Sequence, residues 1–169
     1  MPSVPLKWEY ISFREFEPAV LYAWLQARQN VFVLEQKCLY PDIDGLDTHC
    51  HHLLGWIPEH KERTLVAGSR IVPPEMKFPG PSIGRIMTMK EHRGKSYGRA
   101  LLHESIRRTL EAYPNQTIYL EAQQYLERFY KEFGFDTISE PYDEDGIMHV
   151  VMSGTPERLR ANKSKSNTL

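Results

Sequence analysis

A short basic turn, placed between an apolar strand and an apolar helix, contains residue types that bind anions. The turn consists of Arg93, Gly94, Lys95, Ser96, Tyr97, Gly98 and Arg99. A helix N-terminus presents unpaired N–H groups and the positive end of the helix dipole. Glycine allows an anion to approach such groups closely. With three cationic side chains at the same point, the turn is predicted to bind a pyrophosphate.

The elements on either side of this turn follow from the spacing of apolar residues. Alternation predicts a strand over 82–89, and helical spacing predicts a helix over 101–113 that Pro114 ends. The same criteria predict strands over 6–13, 51–57, 64–72, 117–122, 135–139 and 147–152, and helices over 18–32 and 124–133. A polar turn is predicted between the second and third strands. Because strands and helices alternate, we expect an α/β or α+β sheet with helices on its faces.

Length, charge and cysteine content limit the class of protein. The chain has 169 residues and a formal net charge of -1, which favours one domain over 1–154 and a flexible, solvated tail over 155–169. The near-neutral charge argues against nucleic-acid and membrane partners. No apolar run has the length of a signal peptide or of a membrane span. Two cysteines are too few for a disulfide scaffold, so we expect a cytoplasmic protein with reduced thiols.

A row of metal-ligand residue types is interpreted as structural. His49, Cys50, His51 and His52 are adjacent, but neighbours on a strand point to opposite faces of the sheet. No second His/Cys pair with zinc spacing follows, so no metal site is expected. The phosphate-binding signature of P-loop NTPases is missing, and so is a dinucleotide fingerprint after the first strand.

The segment Tyr40–Asp47 has the composition of a loop. Asp42, Asp44 and Asp47 are predicted to form its turns, and attraction of a cationic amine is an alternative role for them. Cys38 precedes this loop, and the sequence suggests no catalytic partner that would make it a nucleophile.

Two motifs, in this order, resemble those of GNAT-type N-acetyltransferases. Arg93 and Gly98 match the first and last positions of the family pattern Q/R-x-x-G-x-G/A. Ser96 stands where glycine is usual, and its N–H can still donate if its φ is negative. Downstream, Phe129–Phe135 fits the motif F-Y-x-x-x-G-F on the last helix of the family's domain. The runs VFVLEQKCLYPDIDG and YLEAQQYLERFYKEFGF resemble the ElaA branch of this superfamily.

The resemblance implies a fold and a cofactor site. It implies a bent, mixed sheet of six or seven strands, splayed between its fourth and fifth strands and flanked by about four helices. Acetyl-CoA would lie in the opening, with Ile86, Met87 and Thr88 along the pantetheine arm. The pyrophosphate would lie at Arg93–Arg99, and Gln123 would contact the arm from the other side. A homodimer is common in this fold.

The resemblance also implies direct transfer of the acetyl group to an amine in a ternary complex. Tyr130 has the family position of the acid that protonates the leaving thiolate, and the Met87 N–H is the expected oxyanion donor. A lysine-like amine has a pKa of about 10.4, so a base that neutralises it is useful. Glu121 and Glu35 are the candidates, and a route without a single protein base is open. A non-catalytic acyl-CoA-binding sensor is the alternative function.

Overall fold

The computed structural model of the protein describes residues 4–58 and 63–166, with side chains to residue 162. The polar turn predicted between the second and third strands falls largely on residues 59–62, which lie outside the described residues. The last three residues of the predicted tail also lie outside them.

In the part of the chain that the structure describes, eight strands form one mixed sheet. They are β1 (Lys7–Ser12), β2 (His51–Pro58), β3 (Arg63–Val72), β4 (Ser82–Thr88), β5 (Ile118–Gln123), β6 (Asp136–Thr137), β7 (Tyr142–Glu144) and β8 (Ile147–Gly154). Their order is β1-β2-β3-β4-β5-β8-β6, and β7 pairs with β8. The pairing of β4 with β5 is parallel and the others are antiparallel. The mixed sheet is therefore confirmed, and β7 is a strand that the sequence analysis missed.

Within residues 4–58 and 63–166, four α-helices flank the sheet, as the resemblance implied. They are α1 (Pro18–Arg28), α2 (Tyr97–Ala112), α3 (Glu127–Lys131) and α4 (Pro156–Ser166). A π-helical segment, Gln29–Glu35, continues α1 to the end of the helix that the sequence predicted. Among the described residues, no helix combines the length and the apolar character that crossing a membrane requires.

Helix α4 corrects the prediction of a flexible tail. Pro156 opens the helix, where its missing N–H leaves no hydrogen bond unmade. Leu159 is 3% exposed and belongs to the core formed with α2, α3, β5 and β8. This helix was not predicted, because Leu159 is the only large apolar side chain between residues 155 and 166 of the sequence, and one residue gives no periodicity.

The sheet opens between β4 and β5. The two strands pair only at Ser82 and Tyr119, where the Tyr119 N–H also donates to the Pro81 carbonyl at 2.9 Å. Beyond this point they share no further paired residues. The predicted splay between the fourth and fifth strands is therefore confirmed.

The two faces of β5 and β8 have different surroundings. On one face, Leu120, Ala122, Val150 and Met152 pack into the core under α2, α3 and α4. Because side chains alternate along a strand, the residues adjacent to these in each strand face the other side. Those residues include Glu121, Gln123 and His149, and Gln123 pairs directly with His149 across the two strands. We call this second side the acceptor face.

A separate apolar cluster holds α1 and the π-helical segment against the first half of the sheet. Trp24 is fully buried there with Phe32, Leu54 and Met87. This packing places Glu35, at the end of the π-helical segment, near the turn that precedes α2.

Candidate active site

A cleft of about 310 Å³ occupies the opening between β4 and β5. It is lined from both faces of the sheet, by residues that include Ile83, Ile86, Glu121, Gln123, Tyr130 and His149. Tyr130 belongs to the core on the helix side, whereas Gln123 and His149 lie on the acceptor face. The opening therefore connects the two sides of the sheet at one point.

A β-bulge in β4 lies beside this cleft. Gly68 pairs with Met87 and Arg70 pairs with Gly84, so Ser69 alone faces both Arg85 and Ile86. Arg85 has a φ of 50°, which costs a non-glycine residue on the order of 1–2 kcal/mol. A bulge leaves one residue out of the ladder of backbone hydrogen bonds. Backbone groups of β4 are thus left unpaired next to the cleft.

The three residues predicted along the pantetheine arm face different surroundings. Ile86 lines the cleft, whereas the Met87 side chain is 3% exposed and packs in the α1 cluster. The Thr88 carbonyl accepts a hydrogen bond from Arg93 Nε at 3.1 Å. Met87 pairs with Gly68 of β3, so its backbone lies in the β3–β4 ladder, whereas Thr88 Oγ1 faces Gly98.

The predicted phosphate turn has the backbone shape of a glycine-rich turn. Gly94 has a φ of 75°, and Ser96, the N-cap of α2, has a φ of 60°. Ser96 was expected to donate its N–H if its φ were negative, and this condition is not met. The serine instead has the left-handed conformation that glycine adopts easily. Its side chain makes no capping hydrogen bond. The first helical bond joins the Ala100 N–H to the Ser96 carbonyl, so the N–H groups of residues 97–99 precede the helical ladder.

Gly98 leaves open space at this helix end. A Cβ placed there would meet Thr88 Oγ1 at 3.6 Å, an ordinary contact, and no nearer atom. Tyr97 next to it is buried, and its hydroxyl donates to the Val4 carbonyl at 3.1 Å. Gly98 therefore faces open space at the N-terminus of α2, and Tyr97 anchors the helix end.

Both arginines of the turn pair with carboxylates. Arg93 Nη2 donates to Glu35 Oε2 at 3.1 Å, and Nη1 contacts the other oxygen of the same carboxylate. Arg99 Nη1 lies 2.7 Å from Glu132, and its guanidinium lies over the Phe133 ring at 4.9 Å. Glu35, predicted as a candidate base, is thus a partner of the turn.

Tyr130 lies where α3 meets the cleft. Gly134, with a φ of 104°, follows α3 and turns the chain back towards the sheet. This turn packs Tyr130 among aromatic rings, with Phe129 at 5.3 Å and Phe135 at 6.4 Å between centroids. Burial raises the pKa of Tyr130 above its usual value, so its phenol is protonated at neutral pH.

Glu121, the other candidate base, is also engaged. Its carboxylate forms an ion pair with Lys77 and accepts a hydrogen bond from the Tyr142 hydroxyl at 3.2 Å. The structure brings Glu121, Gln123 and Tyr130 to one cleft, whereas Glu35 lies with Arg93 at the phosphate turn.

His149 lines the cleft and was not among the predicted site residues. It is 8% exposed, and its Nδ1 lies 2.8 Å from the Ile147 carbonyl oxygen. The signal that could have found it is the Asp145–Gly146 pair. Both residues have positive φ, 52° and 85°, and such a pair marks a two-residue hairpin turn. The turn defines β7 and β8, and alternation along β8 then places His149 beside the partly exposed face.

The three loop aspartates are held by buried arginines. Arg28, which is fully buried, donates from Nε to Asp42 at 2.9 Å and from Nη1 to Asp47 at 2.5 Å. Arg70 holds Asp44 through two hydrogen bonds of 2.7 Å each. Three arginines therefore face three aspartates, with Arg85 as the third.

Arg85 joins this loop to the bulge. Its Nε lies 2.7 Å from Asp42 Oδ1, an ion pair that lacks hydrogen-bond alignment, and its guanidinium lies 5.2 Å from the Tyr40 ring centroid. Burial alone would raise the pKa of Asp47. The hydrogen bonds and charges of Arg28 and Arg70 outweigh burial and hold that pKa below its usual range. Because their charges are already paired, the aspartates serve the loop structure rather than the attraction of an amine.

The buried histidine and cysteines also have structural surroundings. Trp24 Nε1 donates to His52 Nδ1 at 3.0 Å, and His52 Nε2 then donates to the Asp47 carbonyl at 3.1 Å. Burial raises the pKa values of Cys38 and Cys50, which disfavours a nucleophilic thiolate. Within residues 4–58 and 63–166, no three His, Cys, Asp or Glu side chains converge as metal ligands would.

Comparison with known proteins agrees with this fold. Residues 54–155 match the family model described as acetyltransferase (GNAT) domain. A UPF0039 protein of Synechocystis is 40% identical over 147 residues, which are 87% of this chain and 94% of that protein. The protein ElaA of Escherichia coli is 37% identical over 150 residues, 88% of this chain and 95% of ElaA.

Solved structures give the same answer. The crystal structure of E. coli ElaA has a TM-score of 0.80 at 36% identity and covers 88% of this chain and 99% of its own. An acyl-CoA N-acyltransferase from Pseudomonas aeruginosa has a TM-score of 0.83 at 33% identity, with 89% and 99% covered. The chain belongs to the GNAT acetyltransferase family. Within this family of acyltransferases, its resemblance to ElaA is confirmed in sequence and in structure.

Proposed function

We propose that the protein transfers an acetyl group from acetyl-CoA to an amine by direct attack in a ternary complex. The observation that carries this proposal is the opening between β4 and β5, which joins the Tyr130 side of the sheet to the acceptor face. A thioester in the opening would expose its carbonyl carbon to an amine on one side and its sulfur to a phenol on the other. This arrangement meets the geometric demand of acyl transfer.

The phosphate turn and the edge of β4 are the proposed binding site for CoA. The N–H groups that precede the helical ladder of α2 would bind the pyrophosphate, with Arg93, Lys95 and Arg99 around it. The pantetheine arm would lie along the backbone of Ile86–Thr88. On the other side of the opening, Gln123 is held by a hydrogen bond to Gln36 at 3.1 Å.

Two groups would act on the thioester itself. The β4 backbone at the bulge, beside Met87, is proposed to supply the oxyanion donor, because Met87 itself pairs with Gly68 of β3; this donor would stabilise the negative charge that develops on the carbonyl oxygen. Tyr130 is the proposed acid, because its phenol lines the cleft and is protonated at neutral pH. Neither group requires a covalent intermediate with the enzyme.

An amine screen tests this function. The purified protein is mixed with acetyl-CoA and with single members of a panel of peptide N-termini, lysine side chains, polyamines and amino sugars. Release of the CoA thiol is followed in each mixture. We expect one class of amine to release thiol at a rate that depends on both substrates. Tight binding of acetyl-CoA without turnover of any amine would instead favour the alternative function, a non-catalytic acyl-CoA sensor.

A second arm of the screen tests the acyl group. Malonyl-CoA and longer acyl-CoA thioesters replace acetyl-CoA with the best amine. We expect acetyl-CoA to give the highest kcat/KM, and a preference for a longer chain would contradict the acetyl assignment.

We also propose that the protein works in the cytoplasm as a homodimer, with one GNAT domain that comprises 1–154 and helix α4 packed against it. Cys38 and Cys50 are both free and buried, which fits a reducing compartment. Light scattering of the purified protein tests the dimer, and a monomer at micromolar concentration would contradict it.

A further inference from the structure

His149 lies at the place where an acceptor amine must lose its proton. It pairs with Gln123 across β5 and β8, and side chains of directly paired residues lie about 5 Å apart at their Cβ atoms. Both line the same cleft as Tyr130, yet Tyr130 belongs to the core on the helix side. A base on the acceptor face and an acid on the helix side would reach the two ends of one reacting thioester.

The hydrogen bond of His149 determines which ring nitrogen is free. Its Nδ1 lies 2.8 Å from the Ile147 carbonyl oxygen, and a carbonyl oxygen can only accept. Nδ1 therefore carries the proton, and in the neutral ring Nε2 holds a lone pair. This is the tautomer in which a histidine can accept a proton at Nε2.

A carboxylate stands close to that nitrogen without occupying it. Glu144 Oε2 lies 3.6 Å from His149 Nε2, which is an ion-pair distance but longer than a hydrogen bond. The Tyr142 ring stacks on the imidazole at 6.1 Å between centroids and fixes its plane. Of the other charged groups that line the cleft, Glu121 pairs with Lys77, and Asp44 pairs with Arg70 and Arg85. A proton gained at Nε2 would be stabilised by Glu144.

The two carboxylates that the sequence suggested as bases are less available. Glu121 is held by Lys77 and by the Tyr142 hydroxyl, and Glu35 is held by Arg93 at the phosphate turn. The oxygens of both carboxylates are already in contact with these partners, which leaves them less accessible to an incoming ammonium. Among the described residues, the ion pair of His149 Nε2 is with a carboxylate, Glu144, and not with a cation.

We propose that His149 is the general base of the acetyl transfer and that Glu144 is its positioning residue. The inference rests on the proposed function. The acceptor ammonium gives one proton to His149 Nε2, and the neutral nitrogen then forms a C–N bond with the thioester carbon. As the C–S bond breaks, the sulfur takes a proton from Tyr130. When the amide forms, the nitrogen loses a second proton, which returns to the Tyr130 oxygen. The first proton, held on His149 Nε2, is released to solvent.

A matched pair of small amines separates this role from a structural one. Ethylamine is protonated at pH 7, whereas methoxyamine has nearly the same size and is neutral, so only ethylamine needs a base. We expect His149→Asn to slow acetyl transfer to ethylamine on the order of 10²-fold, the low end for removal of a general base. Transfer to methoxyamine should change little. Asparagine keeps a donor for the Ile147 carbonyl, and His51→Asn, a histidine of β2 stacked on Tyr10, is the control.

The outcomes distinguish this inference from the proposed function. Equal slowing with both amines, or with neither, would overturn the role of His149 while acetyl transfer itself stands. Glu144→Gln should slow ethylamine transfer less than His149→Asn does, and no slowing would overturn its positioning role.

A protein that binds no acetyl-CoA in calorimetry would overturn the proposed function, and with it the base. If wild-type protein binds acetyl-CoA but uses neither amine, nitrogen NMR of His149 decides. A proton on Nε2 of the neutral ring would overturn the inference, and a proton on Nδ1 would support it.

Discussion

The carboxylate of Glu35 lies across the guanidinium of Arg93, with Arg93 Nη2 3.1 Å from Glu35 Oε2. This ion pair joins the end of the π-helical segment to the turn before α2. Both side chains are partly exposed, 29% for Glu35 and 42% for Arg93, so the pair contributes about 1 kcal/mol at most to stability. Its main effect is to orient Arg93 beside the open N-terminus of α2.

Glu35→Gln tests whether this glutamate is a base or a partner of the turn. As a partner of Arg93, Glu35 should affect the affinity for acetyl-CoA modestly and leave the pH dependence of kcat unchanged. The measurement is a pH–rate profile of the variant beside that of wild type. Loss of the acidic limb of the profile would restore Glu35 as the base.

Tyr130→Phe tests the acid role. Because the phenol acts as the thiolate leaves, its loss should lower kcat by about 10²-fold and leave the Kd of acetyl-CoA nearly unchanged. The phenylalanine ring keeps the aromatic packing of α3. The control is Tyr22→Phe on α1, where the ring is 71% exposed. Equal losses in kcat and affinity would mean that Tyr130 only shapes the cleft.

Removal of one aspartate from the loop network should destabilise the fold more than removal of an exposed carboxylate. Asp47→Asn leaves Arg28 buried beside a neutral amide, and removal of one partner of a buried ion pair costs about 3–5 kcal/mol. The measurement is chemical denaturation at pH 7. The matched control is Glu9→Gln in the exposed pair with Arg63, which should cost no more than about 1 kcal/mol. Similar costs in both variants would contradict the buried network.

His52 should make stability fall in acid. Burial lowers its pKa from 6.5 to about 4 in the folded protein, so between these pH values the unfolded chain binds more protons. Stability is therefore lost as pH decreases from 6.5 to 4, by about 3 kcal/mol for this one group. The pKa values of Asp44 and Asp47 are lowered in the folded protein. These two aspartates therefore stabilise the fold above their usual pKa of 3.8, and that stabilisation is lost only as the pH falls below this value.

Denaturation of His52→Gln across this pH range isolates the histidine. Glutamine can accept from Trp24 and donate to the Asp47 carbonyl, but it does not titrate. We expect its stability to vary less than that of wild type between pH 4 and 6.5. Parallel curves would show that His52 is not held neutral by burial.

The sequence predicted most of the sheet because its strands alternate clearly and its two motifs stand in a fixed order. It missed β7, which has three residues, and α4, whose burial depends on Leu159 alone. Elements this short form because the rest of the fold offers a partner, and that partner is not visible in local periodicity.

The shape of the turn before α2 was predictable, because local sequence determines the geometry there. Gly94 and Gly98 mark the turn before α2, and the left-handed Ser96 keeps its shape. Arg28 and Arg85 both form ion pairs with Asp42, which is distant from each of them in the sequence. The burial of Arg28 and the positive φ of Arg85 could therefore not be predicted from local sequence. His149 was within reach of the hairpin signal at Asp145–Gly146, although its tautomer requires the position of the Ile147 carbonyl.

Calorimetric titration with acetyl-CoA tests the central claim most directly. Gly98 faces open space, so Gly98→Val should fold normally and block the approach of the pyrophosphate to the N-terminus of α2. Ala112→Val places the same side chain at the exposed C-terminal end of the helix and serves as the control. We predict micromolar binding by wild type and by Ala112→Val, binding at least about tenfold weaker by Gly98→Val, and much weaker binding of ATP by all three. Equal affinity of Gly98→Val and wild type for acetyl-CoA, or no binding by wild type, would contradict the account.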